Sequence, residues 1–182
     1  MLHIAREKKS TNIAEYLLFM WQMEDLLRGL EFDILKIDEQ ILADMEDEEK
    51  RNENLLWFSK LAKEMQAENV TVSGHHHETA EIIGELMLVQ QTLLTTIDDK
   101  AFKQAYAESK PFLAEFMLKT DKIPRNDIET ALTAIYGVLT LRLAKKTVSP
   151  ETRAAVDKFT EYIRLLTRAY HLMLAGKLPM KN

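Results

Sequence analysis

Cysteine is absent from the 182-residue chain. That excludes disulfide frameworks, cysteine-based zinc sites and thiol nucleophiles together. Glycine and proline are scarce, with five and four residues, and the few there are fall where helices would start or stop. An excess of basic charge is also missing. The formal net charge is -5, and the basic patches Arg6–Lys9 and Ala144–Lys146 are short. Neutralising phosphates needs a concentrated basic surface, so no nucleic-acid partner is expected. The apolar run Tyr16–Trp21 is far too short to span a bilayer, so no membrane partner is expected either. The segment before it contains Glu7 and is followed by no small-residue cleavage pattern, which argues against a signal peptide. The expectation is a soluble cytoplasmic protein.

The common chemical signatures are missing as well. No glycine pattern is arranged to cradle phosphate, and no G-x-S-x-G elbow occurs. There is no H-E-x-x-H, and none of the Glu-x-x-His pairs by which ferritin-like bundles hold two metals. Neither a cofactor nor a catalytic residue is assigned.

What is present is helical periodicity. With 46% apolar and 29% charged residues the composition is that of an ordinary globular chain, and apolar residues recur at helical spacing almost throughout. Asn12 with Glu15 reads as a cap and Gly29 as a stop, giving a helix over 12–28. A second apolar pattern runs from Phe32 to Leu42. The charged run Glu46–Glu53 reads as solvated surface, and a helix continues to about Ala67. A histidine-bearing helix ends near Ile97, and Asp98–Asp99 caps a segment that Pro111 should divide or kink. Asn126 caps a helix to about Lys145, and Ser149–Pro150–Glu151 opens a last one ending before Gly176. The sum is an all-α, single-domain bundle of about six to eight helices over 1–182, with residues 1–10 frayed or surface-packed and 177–182 a flexible tail.

Two helices are unusual. The first is apolar nearly all round, so it is either central or covered by a second subunit, with Met20 and Trp21 as candidate interface residues. Glu24 projects into its apolar arc between Ile13 and Leu17. The helix from Asp127 carries Arg142 inside its arc, beside Ile135, and a small face around Gly137 that would let another helix approach closely. A buried carboxylate needs a partner. Glu24 and Arg142 are therefore expected to meet in or near the core, as a polar ligand pocket that includes Gln22 and Tyr136 or as a pair fixing helix register, unless the arginine snorkels to water.

The stretch Thr71–Met87 contains three consecutive histidines, His75–His77. Adjacent helical residues point about 100° apart, so all three cannot face one ion from within a helix. His75 and His77 share a side only if the backbone is extended, and Glu78 or Glu81 would then complete a set. The simpler expectation places the histidines in a loop and first turn with Ser73 as the cap and no metal. His171, on the polar side of the last helix, reads as exposed.

The run A-E-Y-L-L-x-M-W-Q-x-E-D-L-x-R within Asn12–Leu30, with the later Ser73–His75 loop and the Ile135–Leu143 helix, resembles a domain-of-unknown-function family of small all-helical bacterial proteins. The resemblance implies a compact helical cytoplasmic protein and carries over no activity or site residue. Two readings of function follow. One is a non-enzymatic binding or assembly module, homo-oligomeric through a two-sided helix. The other is a ligand-binding sensor or enzyme using the Glu24–Arg142 pocket, and a His75/His77 metal protein stands behind both.

Overall fold

The computed structural model describes residues 1–120 and 124–179. Part of the expected 177–182 tail therefore lies outside the described residues. Among those described there are eight α-helices and no strand. They are α1 (Leu2–Thr11), α2 (Ile13–Gly29), α3 (Ile34–Ile41), α4 (Glu48–Ala67), α5 (His77–Thr95), α6 (Lys100–Lys119), α7 (Asp127–Leu143) and α8 (Pro150–Leu174). No helix among them is long and apolar enough to cross a membrane.

Short polar side chains start these helices by accepting from backbone N–H groups that have no partner within the helix. Asp99 accepts from Phe102 at 2.8 Å, Asn126 from Glu129 at 2.9 Å and Ser149 from Thr152 at 3.2 Å, each where the sequence placed a cap. Asp33 and Asp47 do the same for α3 and α4. The ends are equally regular. After α2, α4, α7 and α8 the chain turns left-handed at Glu31, Asn69, Lys145 and Gly176. The next N–H then reaches back to the last turn, as in Val70 N–H to Met65 O at 3.0 Å and Lys177 N–H to Leu172 O at 2.8 Å.

Three expectations need correction. Gly29 is the last residue of α2 and not its left-handed stop, which falls to Glu31. Residues 2–11 form α1 rather than a frayed end, because Ala5 is buried and the Leu2 N–H is held by Asn54 Oδ1 at 2.8 Å. Pro111 does not divide α6. Ala107 and Pro111 are both exposed, so the carbonyl deprived of its hydrogen bond faces the solvent side.

The helices group into two compact units. The first comprises residues 1–11 and 15–81, and the second 12–14 and 82–182. In the first unit α4 takes α3 and α1 against its sides, and its buried set includes Leu17, Met20, Trp21, Leu27, Phe58 and Met65. In the second, α8 packs on both α6 and α7, which also pack on each other. Phe159, Tyr162, Ile163, Leu166 and Tyr170 of α8 are buried as their helical spacing requires. Each such side chain contributes about 1.5–3 kcal/mol by leaving water.

Phenols punctuate this second unit, with Tyr162 and Tyr170 buried and Tyr106 half-buried. The rings of Phe102, Tyr106 and Tyr162 cluster with centroids 5.2–6.2 Å apart. Their hydroxyls, with that of Tyr170, are not wasted. Tyr106 donates to Asp127 at 2.5 Å, Tyr170 to Glu85 at 2.6 Å, and Tyr162 to Gln90. Burial first, and for Tyr106 and Tyr170 the accepting carboxylate second, push these phenols up, so they stay donors at neutral pH.

His171 corrects the expectation of an exposed surface residue. It is half-buried, and its Nε2 accepts the N–H of Ile13, the first residue of α2, at 3.1 Å. It therefore caps that helix from α8. An acceptor nitrogen must be neutral, and burial holds its pKa below the ordinary value of 6.5. The folded state then binds fewer protons here than the unfolded state. The contribution is complete above 6.5 and is lost as pH falls through the depressed folded value. The stability advantage of the native chain over His171→Leu, measured by urea denaturation, is expected to be larger at about pH 8 than at about pH 5. An advantage that is flat or growing toward acid pH would contradict this assignment.

Candidate functional site

In the first unit, the loop from Glu68 to His76 carries His75 and His76, and it is fastened at several points. Its entrance is the left-handed Asn69. Its far end is Gly74, at φ +90, where a Cβ would meet Val70 Cγ1 at 3.3 Å. Arg28, from the end of α2, spans the two: its Nη2 donates to Val70 O at 2.9 Å and to Gly74 O at 2.6 Å. The guanidinium also donates to Asp25 at 2.9 Å and lies 3.8 Å from Glu24. A planar fork with five donors suits this multiple grip.

Glu24 is fully buried, as its place in the apolar arc of α2 implied. Its Oε2 lies 2.8 Å from His75 Nδ1, and its Oε1 accepts the backbone N–H of His76 at 3.1 Å. A carboxylate accepts only, so the His75 proton in this contact sits on Nδ1. The imidazole of His75 lies flat on the Trp21 indole, with ring centroids 4.1 Å apart and planes 13° from parallel. Both oxygens of Glu24 are thus engaged, and the carboxylate locks the loop to α2.

His76 and His77 turn away toward the end of α4. The His76 ring is buried, with Nε2 3.3 Å from Glu64 Oε2 and 3.4 Å from Glu68 Oε1, at angles that make no hydrogen bond. His77 is more open. Its N–H donates to Glu68 Oε2 at 2.8 Å, and its Nδ1 is in close contact with Glu68 Oε1. The Glu68 hydrogen bond raises the pKa of His77. Burial pushes the Glu68 carboxyl up, but the bonds from His77 outweigh it and the net direction is down. Beside them Lys9 pairs with Glu78 at 2.5 Å, and Tyr16 hydrogen-bonds the same carboxylate.

The second unit carries a different feature. Between α6, α7 and α8 lies an open apolar groove of about 720 Å³, lined among others by Phe112, Phe116, Gly137, Leu141, Val156 and Phe159. Large apolar side chains on the same helices stand in water nearby in sequence, with Leu118 88% and Leu143 68% exposed.

The residues singled out in the sequence are therefore redistributed. Glu24 and half-buried Gln22 belong to the first unit, while exposed Arg142 and half-buried Tyr136 belong to the second. Glu24 takes its cation from Arg28, one turn along its own helix, and that arrangement replaces the expected pairing with Arg142. Met20 and Trp21 are 2% and 1% exposed, so neither is available to a partner. Gly137 does line an open surface. His75 and His77 do not converge: His75 faces Glu24, and His77 joins His76 and Glu68. The signal for this last cluster lay upstream of the histidines, in Glu64 and Glu68. Their spacing of four puts them on one helical face.

The described residues define an all-α protein in which a buried carboxylate latches the loop that carries His75 and His76. The chain belongs to the family described as Domain of unknown function (DUF4924), whose model matches residues 2–177. Neither a curated protein nor a solved structure matches it.

Removing the latch should be costly. Glu24→Ala leaves a half-buried imidazole, a buried N–H and part of a guanidinium unanswered, and is expected to lose about 3 kcal/mol or more. Gly74→Ala, strained at positive φ, should lose about 1 kcal/mol. Urea denaturation of both variants checks the order, and a Glu24→Ala protein as stable as the parent would show that the latch holds nothing.

Proposed function

We propose that the chain is a non-enzymatic, cytoplasmic assembly module that pairs with a second copy of itself through the α6–α7–α8 groove. The observation that carries this reading is the groove itself, open and apolar around Gly137, on helices that also expose Leu118 and Leu143. Nothing lies within 4 Å of where a Gly137 Cβ would be, so a neighbouring helix has room to approach there.

Three features favour a second copy over a small apolar molecule. Leu141 lines the groove and is 36% exposed, and a helix laid along the groove can cover it. Glu115 and Lys119 both line the groove and pair with each other at 2.5 Å, while Glu151 adds another carboxylate. A face carrying both signs of charge can complement itself across a two-fold axis. Ala134, Ala154 and Ala155 line the same groove and keep its floor low enough for a helix.

Light scattering coupled to size exclusion is expected to show a dimer of the native chain. Leu141→Glu, which alters an exposed side chain that lines the groove and spares the core, should weaken the dimer by at least about tenfold. A native chain that remains monomeric at about 100 µM would sink the proposal, because any interface worth more than about 5.5 kcal/mol would be populated there.

A further inference from the structure

We propose that Glu64, Glu68, His76 and His77 form a binding site for a divalent transition metal of the zinc class. The site lies within the first unit and owes nothing to the groove or to self-assembly. One candidate ligand atom from each of Glu68, His76 and His77 lies within 4.8 Å of the others. Two imidazoles with carboxylates are the donor set that zinc and its neighbours take when cysteine is missing, whereas calcium and magnesium select oxygen alone.

The distances suit an ion. Ligands at about 2.0–2.1 Å from a tetrahedral centre stand about 3.3 Å from one another. His76 Nε2 is 3.3 Å from Glu64 Oε2 and 3.4 Å from Glu68 Oε1. The Nδ1 of His77 is closer than that to Glu68 Oε1, as a shared proton requires. Binding an ion replaces that proton, which leaves to solvent, and the two atoms move apart. His77 has the freedom to do so, since its side chain is 55% exposed, and its exposure also gives the ion a way in.

The second observation is His76 itself. The residue is 3% exposed, and neither ring nitrogen has a hydrogen-bond partner. Leaving a buried imidazole unanswered is costly, and here one of its nitrogens is aimed between two carboxylates at ligand spacing. A metal at that point answers it. The electrostatics agree. Glu64 and Glu68 sit at the C-terminal end of α4, the end of a helix that favours cations. The N-terminus of α5 opposes, but Glu81 on its first turns lies within electrostatic reach of His77 and adds negative charge. The backbone N–H of His76 is fixed to the buried Glu24, so the ring is held in place before any ion arrives.

The test is calorimetric titration of the untagged, chelator-treated chain with zinc sulfate, alongside its thermal midpoint with and without zinc. One ion per chain and a raised midpoint are expected, because the ion binds the folded state. His77→Gln and Glu68→Gln should each weaken binding by more than about tenfold, a loss that even a group merely steadying a metal ligand can carry. His3→Gln, on an exposed residue of α1 outside the cluster, should bind as the native chain does. Circular dichroism of the two weakened variants confirms that they are folded, and both changes are at residues open enough to spare the core. No binding up to about 100 µM zinc, or equal affinity in the native chain and both ligand variants, would overturn the site.

Discussion

A carboxylate removed from water must be met by donors, and in the first unit the arrangement of α2, α4 and the start of α5 follows from how Glu24 is met. Three groups answer it: the ring of His75, the backbone N–H of His76 and, at longer range, Arg28. Two of them belong to the loop that follows α4. Arg28 also donates to two carbonyls of that same loop. The helix and the loop are thus stitched by one contiguous polar network, and the Trp21 indole lies under it as a flat apolar support. Such a network favours a single loop conformation because each alternative leaves a buried group unpaired.

Where sequence reasoning worked, the cause was local. The caps at Asp99, Asn126 and Ser149 are decided within four residues, and so are the helical periods that follow them. The burial of Glu24 was equally legible, because a helical wheel reports which side of a helix is apolar. Its partner was not, for a wheel says nothing about what comes to meet that side. Arg142 looked suitable on α7, yet the last turn of α7 is exposed and Arg142 with it. Arg28 was hidden by lying one turn away on the same helix, where an ordinary i,i+4 surface pair would be the default reading. The histidines show the same boundary. Their crowding at the mouth of α5 was visible, but sorting His75 to Glu24 and His76 with His77 to α4 depends on the turn at Gly74 and the left-handed Asn69.

The two units rely on different means of placing polar groups in a core. The first concentrates them in the loop network. The second distributes them as tyrosine hydroxyls, each ring ending on an acceptor from another helix. A phenol brings a large apolar body with a single donor, so it adds packing and orientation together. The polar network surrounds imidazoles, whereas the tyrosine-rich unit leaves an apolar surface open. The chemistry of each unit differs accordingly: imidazoles beside carboxylates in one, an open apolar groove in the other.

The scarcity of glycine leaves its own mark on the helix ends. Of the left-handed turns after α2, α4, α7 and α8, only the one at Gly176 uses the residue best suited to it. Glu31, Asn69 and Lys145 hold the same geometry, and Asp98 and Phe32 are left-handed as well. For a residue with a Cβ this geometry costs about 1 kcal/mol in the folded chain, somewhat less for asparagine and aspartate. It also brings a return, because a residue with a Cβ has fewer unfolded conformations to lose than glycine. The chain has therefore placed strain in its folded joints and restraint in its unfolded ensemble. Its turns act as pre-bent corners rather than as free hinges.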